Sequence, residues 1–120
     1  MIEAREYINV QGKNFYRDWL VRLDTATRAR VIAAVLRMEA DNFSAAKSVG
    51  SGVSEMRLDF GPGYRIYFGK DGEQLVILLI GGSKKRQQDD IAAAHKLWTE
   101  YKRRKIGGSD ATDAKLSGNN

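Results

Sequence analysis

Three short segments carry the cationic side chains that could act together on a phosphate group. In "SEMRLDF" and "YRIYF" the residues alternate, so Arg57, Arg65 and Tyr67 are predicted to share one face of a sheet. The junction "GGSKKR" follows the next strand and adds a third basic segment, made of Ser83 and residues 84–86. Arginine offers a planar fork of donors to phosphate oxygens, and lysine offers a mobile point charge. These segments therefore predict one positively charged surface suited to a phosphodiester backbone.

The distribution of charge supports the same prediction. The formal net charge is +5. Residues 84–105 hold eight basic and three acidic residues, whereas the rest of the chain has twelve of each. A localised excess attracts polyanions, while scattered charge mostly solvates a surface. RNA is the polyanion that we favour as a ligand.

Composition narrows the class of protein. The 120 residues suit one domain, and the absence of cysteine leaves no disulfide or thiolate metal site. A lone His95 cannot build a histidine metal site, so we expect no metal and no other cofactor. The longest apolar run, "LVILLI", has the length of a strand, and the N-terminus shows no secretory signal. We therefore expect a cytoplasmic protein that does not insert into a membrane.

The first half of the chain predicts one strand and two helices. "REYINV" is rich in β-branched and aromatic residues and predicts a strand over 5–10. Apolar residues at helical spacing predict a helix within 11–23 and a second within 25–40, with Asp24 capping the second. Such a short connection favours an αα-hairpin. "DNFSAAKSVGSG" is interpreted as a loop.

The second half predicts a meander and a final helix. Two alternating strands flank the turn "GPG", and Asp71-Gly72 marks the next hairpin. "QLVILLI" is apolar on both faces and predicts a central strand that is covered on both sides. The order β-α-α-β-β-β-α predicts an α+β fold: a small, antiparallel-rich sheet packed by the αα-hairpin and a C-terminal helix, mostly against one face. The predicted domain covers residues 1–106, and residues 107–120 are predicted to be a disordered tail.

Each cationic residue also has a structural alternative. Arg57 and Arg65 would pair with Glu55 and Asp59 on a solvated face, and "SKKR" would be an ordinary polar loop. Only the combination of two arginines on one sheet face with a basic junction one strand away favours a binding site.

The segments "GVSEMRLDFGPGYRIYF" and "QLVILLIGGSKKRQQDDIAAAHKLW" resemble the RelE/ParE toxin superfamily, in particular its branch of HigB-like addiction module killer proteins. The resemblance runs from about Tyr7 to Tyr101 and depends on the "GPGYR" and "GG-x-K…Q…DI" blocks. It implies the β-α-α-β-β-β-α fold and a type II toxin that a small antitoxin neutralises. In this branch the antitoxin is usually a helix-turn-helix DNA-binding protein.

The resemblance leaves the target open. RelE-like members cut mRNA in the ribosomal A site, which makes ribosome-dependent cleavage the favoured activity. ParE-like members poison DNA gyrase and are not nucleases, which is the first alternative. A degenerate toxin fold that acts only as an interaction module is the second.

For mRNA cleavage, the resemblance assigns roles by position. A ribose 2′-hydroxyl would attack the adjacent phosphate, so the site needs a proton acceptor, a proton donor and cations. Arg65 and Lys85 are assigned to phosphate stabilisation and Arg57 to substrate orientation; Lys84 or Lys85 matches an arginine of the nucleases. The predicted catalytic residues are Arg57, Arg65, Lys84 and Lys85, and the predicted substrate-binding residues are Glu55, Tyr64, Tyr67, Ser83 and Arg86.

Two positions depart from the nuclease pattern. Ile91 stands where the nucleases have a tyrosine, and Glu55 stands where they have the first lysine of a pair. Isoleucine cannot exchange a proton, and arginine stays protonated. A lysine with a lowered pKa, Glu55 or Tyr67 is left as the candidate base.

Overall fold

A computed structural model describes residues 2–107. Within this range the chain forms three helices and five strands, one strand more than predicted. In chain order they are β1 (Glu3–Glu6), α1 (Phe15–Val21), α2 (Thr25–Glu39), β2 (Ala46–Ser48), β3 (Val53–Arg57), β4 (Arg65–Asp71), β5 (Leu75–Gly82) and α3 (Gln87–Gly107). A 3₁₀ turn, Lys84–Arg86, joins β5 to α3. The predicted tail lies outside the described residues except for Gly107, which ends α3.

The strands form one sheet in the order β1-β5-β4-β3-β2. β1 pairs parallel with β5, and all other neighbours are antiparallel. The α+β class and the antiparallel-rich sheet are therefore confirmed. The additional strand, β2, lies in the segment predicted to be a loop. It spans only three residues, which is too short for an alternating pattern to be recognised.

Side-chain caps fix where the two helices of the hairpin begin. The Asp24 carboxylate accepts the Thr27 N–H at 2.8 Å, which confirms the predicted cap of α2. The Asn14 side chain accepts the Arg17 N–H at 2.8 Å and starts α1 in the same way. α1 then lies against the end of β5, where a Cβ on Gly81 would be 2.1 Å from the Trp19 ring.

The sheet is covered on both faces. Val76 and Leu78 of β5 pack with α1 and α2 in one buried cluster. Ile77 and Leu79, which point the other way, pack with α3 in a second cluster. The expectation that the helices pack mostly against one face is wrong, because a central strand that is apolar on both sides needs cover on both.

Aromatic side chains fasten α3 to its face of the sheet. Trp98 and Tyr101 stack at 5.1 Å between ring centroids. The Tyr101 hydroxyl donates to the carboxylate of Asp71 at 2.5 Å, at the predicted Asp71-Gly72 hairpin, where Gly72 has φ of 73°. A Cβ on Gly69 would lie 2.6 Å from the Trp98 ring, so this glycine allows the helix to approach the strand closely.

The turn between β3 and β4 meets the 3₁₀ turn. Gly61 and Gly63 have φ of 65° and 73°, conformations that favour glycine on both sides of Pro62. The Lys84 N–H donates to the Pro62 carbonyl at 3.2 Å. The "GPG" turn and the basic junction therefore lie together at one end of the sheet.

Candidate nucleic-acid interface

Three strands bring the predicted arginines to this end of the sheet. Arg57 is the cross-strand neighbour of Arg65, and Arg65 is the neighbour of Gly82. A Cβ on Gly63 would lie 3.0 Å both from Nη1 of Arg65 and from Cβ of Lys84, so these two side chains flank the same glycine. The three segments singled out in the sequence thus meet in space.

The side chain of Arg65 is buried rather than displayed. It is 6% exposed, and its Nε lies 3.4 Å from Oε1 of Glu55, which is 1% exposed. Nη1 donates to the Gly63 carbonyl at 2.5 Å, and Gln87 at the start of α3 donates to Oε1 of Glu55 at 3.1 Å. Arg65 therefore forms the ion pair with Glu55 that the structural alternative predicted. The pair is buried, however, and does not lie on a solvated face.

Tyr67 lies beneath α3 and is fully buried. Its hydroxyl has no hydrogen-bond partner among residues 2–107. Burial, reinforced by the nearby carboxylates of Glu55 and Asp90, raises the pKa of Tyr67 far above its ordinary value. We expected Glu55, Arg65 and Tyr67 on an accessible concave surface. That expectation is wrong, because α3 covers the face.

Four of the predicted cations remain accessible. Arg57, Lys84, Lys85 and Arg86 are exposed. Arg86 pairs with Asp89 at 3.5 Å through side chains that are more than 70% exposed, and such a pair contributes little. Arg57 forms no ion pair within residues 2–107. These four side chains can therefore bind an external anion without breaking a buried contact.

An open cleft of about 640 Å³ adjoins the basic turn. It contains three of the predicted substrate-binding residues, Tyr64, Ser83 and Arg86. Most of its remaining charged and aromatic lining comes from the segment around α1, with Lys13, Phe15, Asp18, Trp19 and Arg22. In the sequence this segment shows only the pattern of a helical hairpin, so these residues were not predicted to line a site.

Asp90 closes the cleft on the side of α3 and was also missed. Its Oδ2 is buried and has no hydrogen-bond partner among residues 2–107. A Cβ on Gly82 would lie 1.9 Å from this oxygen, so only glycine at position 82 lets the carboxylate approach the end of β5. Burial raises the pKa of Asp90, the guanidinium of Arg86 opposes that rise, and Asp89 adds to it. The double glycine followed by an acidic helix start was the signal that could have identified it.

Two features of the described residues bear on ligand class. Among residues 2–107 no cluster of three or more histidine, cysteine or acidic side chains has the arrangement to hold a metal ion. No helix in this range combines the length and apolar character needed to cross a bilayer. The cationic end itself presents exposed cations beside a cleft with aromatic and carboxylate lining.

Comparison with known proteins places the chain in a family. The family described as "Phage derived protein Gp49-like (DUF891)" matches residues 18–102, more than half of the chain. An uncharacterized protein of Haemophilus influenzae is 40% identical over 72 residues, which cover 59% of this chain and 73% of that relative. The match includes residues 18–21 of α1, all of α2, the sheet from β2 to β5 and most of α3, and therefore Arg57 and the turn Lys84–Arg86. The chain thus belongs to the Gp49-like family, a toxin-like addiction-module family.

Proposed function

We propose that the protein is the toxin of a type II toxin–antitoxin pair and that it stops translation by cutting mRNA on the ribosome. One observation carries the proposal: Arg57 and the turn Lys84–Arg86 are exposed at the end of the sheet where three strands align, next to an open cleft. The family and the resemblance to the RelE/ParE superfamily support the toxin class. A target on the ribosome would put its action in the cytoplasm.

Accessibility decides how the roles are divided. Lys84 and Lys85 would hold the phosphate through charge, and Arg57 would orient the strand from β3. Arg65 would act as a positioning residue, because its guanidinium is directed into the contact with Glu55. It would keep β4 and the "GPG" turn in the geometry that presents Lys84.

Cleavage also requires proton transfer. The 2′-oxygen bonds to phosphorus as its proton leaves, and the bond from phosphorus to the 5′-oxygen breaks as that oxygen gains a proton. Glu55 and Tyr67 are too deeply buried to accept the first proton. We assign proton exchange to Asp90, which is half-buried and lines the cleft one position before Ile91; because its Oδ2 is buried, the other carboxylate oxygen would exchange the proton.

The test is a translating extract in which mRNA 5′ ends are mapped after adding the full-length protein. We expect new ends within codons in the ribosomal A site, lost in a double variant Arg57→Gln/Lys85→Gln. Arg37→Gln is the matched control, because Arg37 is an exposed arginine on α2, away from the cationic end. Inhibited translation without new 5′ ends would eliminate the nuclease.

A second candidate, a non-catalytic ParE-like poison of DNA gyrase, is favoured by one observation. Ile91 replaces a proton-exchanging tyrosine, and the alternatives Glu55 and Tyr67 are buried. This candidate predicts trapped complexes of gyrase with cleaved DNA and intact mRNA. If growth is arrested with neither trapped gyrase nor cut mRNA, both candidates fail and an interaction module remains.

The proposed antitoxin would be a helix-turn-helix DNA-binding protein with an acidic segment that covers the exposed cations. Lys84 and Lys85 would then be shielded in the complex. Acetylation of lysines followed by mass spectrometry should show protection of both residues. Lys70 lies near the end of β4 opposite Arg65 and serves as an internal reference. Equal labelling with and without the antitoxin would contradict this mode of neutralisation.

A further inference from the structure

The cleft beside the basic turn contains carboxylates that a phosphate site would not be expected to have. Asp18 on α1 and Asp90 on α3 both line it. Ionised carboxylates accept hydrogen bonds only and repel phosphate. Lys13, Arg22 and Arg86 also line the cleft, and Lys13 pairs with Asp18 at 3.6 Å. This mixture of charges, unlike the purely cationic turn beside it, suits a part of the ligand that offers hydrogen-bond donors as well as acceptors.

Its aromatic lining points to a nucleobase. Trp19 and Tyr64 contact each other edge-to-face, with ring centroids 6.3 Å apart, and Phe15 lines the same cleft. Unpaired bases in RNA are bound by contact with aromatic side chains and by hydrogen bonds to their edges. At about 640 Å³ the cleft lies within the usual range for sites that enclose a small ligand.

The cleft and the basic turn share lining residues, which indicates which base of a bound strand would enter the cleft. Ser83 and Arg86 belong to the junction and also line the cleft. A strand whose phosphate is bound by Lys84 or Lys85 could therefore place a neighbouring base in the cleft.

We propose that the cleft is a subsite for one unpaired base and that Asp18 and Asp90 select bases with amino donors (guanine, cytosine and adenine) over uracil. This inference rests on the proposed action on RNA and adds its substrate preference. Carboxylates accept from the amino group of cytosine, and guanine presents two adjacent donors. Uracil offers one donor between two carbonyl oxygens, which the carboxylates repel. Oδ2 of Asp90 is buried against Gly82, so a base would donate to the other oxygen of this carboxylate.

The experiment measures binding of the full-length protein to single-stranded hexamers by calorimetry. The probes are 2′-O-methyl oligonucleotides, which cannot be cut at the 2′-oxygen: all-uracil, and the same hexamer with one guanine or one cytosine at the third position. We expect the guanine or cytosine hexamer to bind about tenfold more tightly than all-uracil, as for one well-placed base contact.

The variants Asp18→Asn and Asp90→Asn separate base selection from simple electrostatics. Removing a negative charge should tighten binding to every hexamer if charge alone matters. Base selection instead predicts that the guanine or cytosine preference falls to less than threefold while all-uracil binding is kept or tightened. Asp89→Asn is the matched control, because Asp89 is exposed, adjacent in sequence and absent from the cleft lining. Asp89→Asn should change the affinity for all three hexamers by the same factor.

A second readout uses the positions of the two tryptophans. Both tryptophans are largely buried. Trp19 packs in the cluster shared with α1 and α2 and lines the cleft with the part of its surface that stays exposed, whereas Trp98 packs in the cluster on the other face of the sheet. Binding of the guanine hexamer should change tryptophan fluorescence in the native protein, and Trp19→Phe should abolish that change. A change that persists in Trp19→Phe would place the ligand elsewhere.

Equal affinity for the three hexamers, or an unaltered preference in both aspartate variants, would overturn the inference. The result is independent of the mRNA mapping. A protein that cuts mRNA without base preference would retain the proposed function and lose the subsite. A preference that depends on the aspartates, without any cutting, would retain the subsite and lose the nuclease.

Discussion

The ion pair between Arg65 and Glu55 allows a structural role for Arg65 to be separated from a catalytic one. Both side chains are almost completely buried, and the Nε–Oε1 distance is 3.4 Å. In Arg65→Met, Glu55 would stay buried with Gln87 as its remaining hydrogen-bond donor and the exposed Lys47 at 3.9 Å. Removing one partner of a buried pair typically destabilises a fold by about 3–5 kcal/mol.

The geometry gives the same order of magnitude. Two unit charges at this distance attract by about 5 kcal/mol at an effective dielectric constant of about 20. A loss of about 3–5 kcal/mol should lower Tm by roughly 10–20 °C in a chain of this size. Arg57→Met is the matched control, because it replaces the exposed cross-strand neighbour and should change stability by no more than about 0.5 kcal/mol.

Urea denaturation of Arg65→Met, of Glu55→Met and of the double variant Glu55→Met/Arg65→Met measures the coupling energy between the two side chains. Replacing both charges by apolar side chains is often neutral, so we expect the double variant to be more stable than Arg65→Met. A coupling energy of about 2 kcal/mol or more would fit a direct pair. If Arg65→Met unfolds at the wild-type urea concentration, the structural role is refuted. If the double variant is as stable as the wild type but no longer arrests growth, the ion pair has a role in function beyond stabilising the fold.

Three further predictions concern the residues around the cleft. Burial raises the pKa of Asp90 in the fold, so the contribution of this group to stability is fully present below about pH 3.9 and declines as pH rises through the folded pKa. Asp90→Asn should therefore be at least as stable as wild type at pH 7 in urea titrations. If the variant were more stable than wild type at pH 3 but not at pH 7, the sign of this argument would be wrong. Gly81→Ala would put a Cβ 2.1 Å from the Trp19 ring and should destabilise by about 1–3 kcal/mol in thermal melts. The control Gly107→Ala would place a Cβ with no atom within 4 Å and should leave stability unchanged. Asn14→Ala removes the cap of α1 and should reduce the free energy of unfolding by about 1 kcal/mol in the same melts.

Local patterns in the sequence predicted most of the fold. The cap at Asp24, the hairpin at Asp71-Gly72 and the central position of β5 each follow from a few neighbouring residues. β2 was missed because three residues carry no periodicity, and its pairing depends on β3. Where β1 lies was predicted imperfectly: it spans Glu3–Glu6 rather than 5–10.

The candidate site was predicted less completely, for a physical reason. Alternation along a strand indicates which residues share a face, and it correctly grouped Arg65 with Tyr67. It does not reveal which face a later helix will cover. Because α3 lies on that face, the residues under it became core, and only those at the strand ends remained accessible. The cleft was missed because α1 and α3, far apart in sequence, contribute opposite walls.

Asp90 and Gly82 connect the stability of the fold to the proposed chemistry. A buried carboxylate oxygen without a hydrogen-bond donor is destabilising, since its lost hydration is not replaced. Any residue larger than glycine at position 82 would push the carboxylate away from the strand, so two positions together maintain the unfavourable arrangement. Strain of this kind is expected where function demands it. A donor from a bound ligand could reach Oδ2 only if the carboxylate turned away from Gly82 towards the cleft, and in that case ligand binding would relieve a defect that folding leaves in place.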